Sequence, residues 1–127
     1  MKLLSEQDSI AVIGVSHNPD KYGHKVFKDL LESGYKVFAV NPKGGEVLGQ
    51  TVYKSVAKVP TKIDLAVMVV PPKVAEQVLK EITKLHIKRI WFQPGSESDQ
   101  AVEYCHQQQL DCITHKCVMV ERRLLQD

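Results

Sequence analysis

Five short apolar runs, each followed by a turn and most then by a stretch with helical spacing, leave this chain few ways to fold. The runs are "SIAVIGV" (9–15), "YKVFAV" (35–40), "IDLAVMVV" (63–70), "KRIWF" (88–92) and "LDCIT" (110–114). The first and third are almost continuously apolar, as expected of strands covered on both faces. Between the first two runs, Val26, Phe27, Leu30 and Leu31 form one helical stripe, and Gly34 supplies the stop. After Pro71-Pro72, residues Val74, Ala75, Val78, Leu79, Ile82 and Leu85 keep a second stripe, with proline where a helix tolerates it best. "SESDQAVEYCHQQQ" (96–109) reads as a helix capped by Ser96 or Ser98, and residues 118–125 as a short terminal one. This alternation predicts an α/β fold: a doubly wound, mainly parallel five-stranded sheet with helices on both faces.

Segment 41–62, "NPKGGEVLGQTVYKSVAKVPTK", breaks the alternation. It exceeds the usual connection of about 2–6 residues and so reads as an excursion that shapes a ligand site. Thr51-Val52-Tyr53 could pair locally within it; the bland alternative is an irregular crossover helix. The 127 residues are enough for one sizeable core, and a single domain over 1–127 is expected. A net charge of +2 lacks the concentrated basic face of a nucleic-acid binder. The apolar runs fall far short of the roughly 20 residues of a membrane span.

No charged stretch leads into a long apolar one at the N-terminus. Three cysteines (Cys105, Cys112, Cys117) include no CxxC pair, so a cytoplasmic, reducing setting is expected. The odd count argues against a disulfide framework. His115 and Cys117 fall short of the four ligands zinc needs, and no metal is expected. No Ser/His/Asp or Cys/His pairing stands out among the five histidines, so no catalytic residue is assigned. Trp91 reads as a strand residue packed under a helix.

Open α/β sheets bind ligands beyond the carboxyl ends of their strands. After the first run come Gly14, Ser16, His17, Asn18 and Lys21; after the second, Asn41, Pro42, Lys43 and Gly44-Gly45. Pro71, Pro72 and Lys73 follow the third run, and Gln93, Pro94, Gly95 and Ser96 the fourth. Lysines thus follow three strands, and helix N-termini add partial positive charge at the same edge. The edge suits a polyphosphate. NAD fits poorly, because only Gly14 and Gly23 answer a three-glycine fingerprint and the second run ends in Asn41-Pro42-Lys43 rather than an acid. A cation there tolerates a phosphorylated ribose, which favours NADP or a 3′-phosphorylated adenosine.

The segments "GVS", "NPDKYG", "LLESGYKVFAVNP", "GQTVYKSV", "VPTKIDLAVMVVPP", "IWFQPGS" and "CVMVE" follow in order from Ile10 to Glu121. In this they resemble small free-standing CoA-binding proteins, which are similar to the N-terminal domain of the succinyl-CoA synthetase α subunit. The resemblance implies a Rossmann-like fold and coenzyme A as ligand. It assigns Gly14, Val15, Ser16, His17, Asn18 and Lys21 to the CoA phosphates, and Asn41, Pro42 and Lys43 to the phosphorylated adenosine. Val70, Pro71 and Pro72 would wall the nucleotide, with Phe92 and Gln93 nearer the pantetheine arm.

Two departures stand out. Relatives often carry Arg where this chain has Lys116, which keeps the charge without the bidentate fork. His17 occupies a position at which relatives vary, so the resemblance gives it no chemistry of its own. Cys117 reads as a buried, inert thiol; exposed, it could form a mixed disulfide with the CoA thiol. The expected function is binding of CoA or an acyl-CoA by a non-catalytic, regulatory module, with a homodimer or a larger protein partner. The alternatives are a small NADP-dependent or acyl-transferring enzyme, or a subunit of a larger CoA ligase.

Overall fold

A computed structural model describes residues 3–125. The elements in chain order are β1 (Ser9–Ile13), α1 (Tyr22–Glu32), β2 (Lys36–Val40), β3 (Glu46–Val47), β4 (Gln50–Tyr53) and a 3₁₀ turn at Val56–Lys58. Then follow β5 (Leu65–Met68), α2 (Pro72–Lys84), β6 (Arg89–Phe92), α3 (Asp99–Gln107), β7 (Asp111–Ile113) and α4 (Val118–Leu124). The strands form one sheet in the order β3-β4-β2-β1-β5-β6-β7, parallel except for the β3–β4 pair.

Side-chain alternation along the strands separates two cores. Val12, Val37, Leu65, Val67 and Trp91 point to one face, where Val26, Phe27 and Leu30 of α1 and Val118 of α4 cover them. Ala11, Ile13, Ala66, Met68, Ile90 and Phe92 point to the other, under Ala75, Leu79 and Ile82 of α2 and Ala101 and Cys105 of α3. β1 and β5 are buried throughout, which explains their unbroken apolar sequence. The helix boundaries have local causes. Gly34 takes φ +89° and ends α1, Pro72 opens α2, and Ser98 Oγ caps α3 by accepting the Ala101 N–H at 3.1 Å.

Two expectations need correction. The sheet has seven strands rather than five, because the 41–62 excursion folds into the hairpin β3–β4, and β4 then adds to β2 in parallel. β3 has two residues and β4, Gln-Thr-Val-Tyr, no apolar run, although Thr51-Val52-Tyr53 does pair as the composition allowed. The hairpin turns at Leu48-Gly49, both with positive φ. Second, Cys105 and Cys112 form a disulfide despite the odd count. The tight return from α3 to β7 brings their Cα atoms to 6.4 Å across seven residues, a juxtaposition no CxxC pattern announces. No helix among the described residues is long and apolar enough to cross a membrane.

Candidate nucleotide-binding site

β1 feeds α1 on one face of the sheet and its neighbour β5 feeds α2 on the other, so the chain diverges beyond their carboxyl ends and leaves a crevice. Gly14 turns the chain there at φ +103°, where a Cβ would collide with the Val69 carbonyl oxygen. Gly23 has no unusual dihedral, yet a Cβ on it would collide with the Gly14 carbonyl oxygen. The first glycine therefore makes the turn and the second lets α1 pack close behind β1.

The loop between them is held by its own side chains. Ser16 Oγ accepts the Asn18 N–H at 3.1 Å, and Asn18 Oδ1 accepts the Asp20 N–H at 2.9 Å. The buried His24 donates from Nδ1 to the Ser16 carbonyl at 2.9 Å. In the loop after β2, Asn41 Oδ1 accepts the Lys43 N–H at 2.9 Å while Nδ2 donates to the Val15 carbonyl at 2.7 Å. His17 Nε2 donates to the Gly44 carbonyl at 2.7 Å, joining the two loops at their rim. Ser16 is half-buried; His17, Asn18, Lys21, Pro42 and Lys43 are exposed.

On the α2 side, Gly14, Val40, Pro42, Val70, Val74 and Val78 line a slot of about 140 Å³, with Lys54, Ser55 and Glu81 around them. Ser96 fixes the Val70 wall from behind: its Oγ donates to the Val70 carbonyl at 2.7 Å and accepts the Val70 N–H at 3.1 Å. Gly14, Pro42 and Val70 thus meet, as their places after three different strands imply. Pro71 is exposed beside them and Pro72 is the first residue of α2. Val15 and Phe92 are wholly buried, and their side chains serve the cores rather than the crevice. Lys54, Ser55 and Val74 were not among the edge residues read from sequence. The length of the 41–62 excursion was the one signal toward the first two.

Gln93 lies on the opposite side, beneath α1 and α4. The Val118 N–H donates to its Oε1 at 2.7 Å, and its Nε2 donates to the Tyr22 hydroxyl at 2.8 Å. Tyr22 Oη stands 3.1 Å from Cys117 Sγ. Burial, with the neighbouring Cys117 adding to it, pushes the Tyr22 hydroxyl up to about 12, so the phenol keeps its proton and can donate it to the thiolate. Burial pushes the Cys117 thiol up, but hydrogen bonds from Tyr22, the Val120 N–H, Gln93 and the Met119 N–H together hold it below a thiol's usual value. Cys117 is half-buried and free, which corrects the reading of a buried, inert thiol.

A larger groove of about 430 Å³ runs between α2 and α3. It lies on the flank of the sheet, and Glu76, Asp99 and Glu103 against Lys80 make it unsuited to a polyanion.

Comparison with known proteins identifies the family. A family described as a CoA binding domain matches residues 8–123. The α subunit of ADP-forming acetate–CoA ligase I from Pyrococcus furiosus is 44% identical over 94 residues, covering 69% of this chain and 20% of the ligase subunit. That of ligase II from the same organism is 38% identical over 120 residues, covering 86% and 26%. The chain therefore spans about a fifth to a quarter of the length of these curated relatives. A conserved hypothetical protein from Pyrococcus furiosus, whose structure is solved, superposes with a TM-score of 0.86 at 42% identity over 90% of this chain and 98% of that one. With a match over nearly its whole length, the chain belongs to the CoA binding domain family.

Proposed function

We propose that the protein binds coenzyme A or an acyl-CoA across the carboxyl edge of its sheet, as a binding and regulatory module without catalysis of its own. The observation that carries this reading is the apolar slot at the divergence of β1 and β5, with Lys54 in its lining and the exposed Lys43 next in the chain to its Pro42. Adenine is flat and apolar on its faces, and the slot offers Pro42, Val70 and Val74 to them. Lys43, which follows the slot residue Pro42 in the chain, would take the 3′-phosphate, and Lys21 at the end of the Gly14 loop suits the diphosphate. The pantetheine arm then runs over the edge toward Gln93, Tyr22 and Cys117, polar groups on the far side of the sheet. In this reading the whole chain is one CoA-binding domain and works in the cytoplasm.

Titration calorimetry with CoA, dephospho-CoA, NADP and NAD tests the proposal. CoA is expected to bind tightest, and dephospho-CoA more weakly through loss of the Lys43 contact. NAD binding as well as CoA would overturn it. The similarity to ligase α subunits also supports a second reading, in which it completes a larger CoA ligase. Co-purification with an ATP-dependent partner chain, and CoA-ester formation only by the pair, would establish that reading.

A further inference from the structure

We propose that His17 is a positioning residue: a clasp that fixes the spacing of the two phosphate-facing loops and so favours ligands that engage both. This deepens the CoA reading and rests on it. Each loop is rigid within itself, through the Ser16–Asn18–Asp20 bonds on one side and the Asn41–Lys43 bond on the other. Their bases are joined where the Gly14 and Val15 N–H groups meet the Val40 carbonyl and where Asn41 reaches Val15. At the rim, where the cationic ends of Lys21 and Lys43 stand in solvent, the His17 Nε2–H bond to the Gly44 carbonyl spans the gap at 2.7 Å.

The opposite loop is built to receive the ring. Gly44 and Gly45 take φ +65° and +85° in succession, and a Cβ on Gly45 would stand 3.0 Å from His17 Nε2. Two left-handed residues in a row present the Gly44 carbonyl to the imidazole and leave room for it. Since a carbonyl only accepts, Nε2 carries the proton.

The selectivity follows from covalent geometry. The diphosphate and 3′-phosphate of CoA are held at a set separation by one ribose. Loops pre-set to that separation lose less freedom when both groups bind. A ligand without the 3′-phosphate engages one loop and gains little from the clasp.

The test compares wild-type protein, His17→Ala and His17→Gln by calorimetry against CoA and dephospho-CoA, with melting temperature as the folding control. Glutamine carries an N–H at similar reach. The Ala variant should lose about fivefold in CoA affinity, the scale of one net hydrogen bond, with dephospho-CoA within about twofold of wild type. The Gln variant should recover most of the CoA:dephospho-CoA ratio. A wild-type ratio in the Ala variant overturns the clasp, as does tighter CoA binding, which would make the bond a strap across an empty site. Loss in Ala without recovery in Gln also overturns it, because the imidazole would then act on the ligand directly. Wild-type protein that ignores CoA removes the binding proposal itself, a failure separate from these.

Discussion

The amide of Gln93 can face only one way, because the Val118 N–H occupies Oε1 and leaves Nε2 for the Tyr22 oxygen. Cys117 Sγ lies 3.1 Å from that oxygen, and once the thiol ionises its sulfur only accepts, so Tyr22 is then the donor. A donor to sulfur favours the thiolate, so removing it raises the thiol's pKa. Tyr22→Phe should therefore move the pH profile of iodoacetamide alkylation at Cys117 to higher pH. The rate near neutral pH should fall on the order of threefold, about one hydrogen bond's worth. A profile unmoved, with the fold intact by circular dichroism, would leave the thiol governed by Gln93 and the Val120 and Met119 N–H groups.

Residue-scale legibility was uneven for a related reason. Gly14 and Gly23 were visible in sequence, but only as a fingerprint with a glycine missing. The structure gives Gly23 the close-packing role at a spacing the fingerprint does not use. The Tyr22–Gln93–Cys117 chain was invisible, because it joins three segments far apart in sequence.

The terminal helix α4 is seven residues long, too short to hold together without tertiary contacts. Arg122 fastens it to α1, with Nε 2.9 Å and Nη2 2.8 Å from the two carboxylate oxygens of Asp29. Both side chains are largely shielded, at 10% and 23% exposure, so the pair escapes much of the screening that weakens surface ion pairs. Asp29→Asn should cost about 1–3 kcal/mol in urea unfolding. Because α4 also presents Val118 to Gln93 and begins beside Cys117, the same variant should speed alkylation of that thiol below the unfolding transition. Stability lost with no change in alkylation would show that α4 keeps its seat without Asp29.

The helices and long strands were legible because each carries its own period, α2 most plainly. The elements that escaped were of two kinds. β3 has two residues and β4 is the polar-led Gln-Thr-Val-Tyr, so neither shows an apolar run, and the Cys105–Cys112 bond depends on how α3 returns to β7.

At the scale of the molecule, a net charge of +2 conceals a separation of sign. Lys21, Lys43, Lys54 and Lys73 belong to the loops and helix start at the carboxyl edge and outnumber Glu81 there, while Glu76, Asp99 and Glu103 outnumber Lys80 on the α2–α3 flank. Sequence placed Lys21, Lys43 and Lys73 after the strands, though not Lys54. It carried no local pattern for the strand order that puts β1 beside β5 and opens the slot. Those lysines are exposed, so their attraction for a polyanion is open to screening by salt. Charges feel one another over roughly 30 Å at about 10 mM salt and over roughly 3 Å at about 1 M.

CoA at about a hundred times its dissociation constant should stabilise the fold by about 2.7 kcal/mol, read as a rise in melting temperature. With CoA concentration held constant, that rise should shrink steeply as salt increases across this range, measured against the free protein at each salt. Lys43→Ala should begin with a smaller rise for CoA and a flatter salt dependence, while its response to dephospho-CoA stays that of the wild type. The contrast follows because only the 3′-phosphate depends on Lys43. A melting shift indifferent to salt would place recognition in the apolar slot, with the lysine rim as ordinary solvated surface.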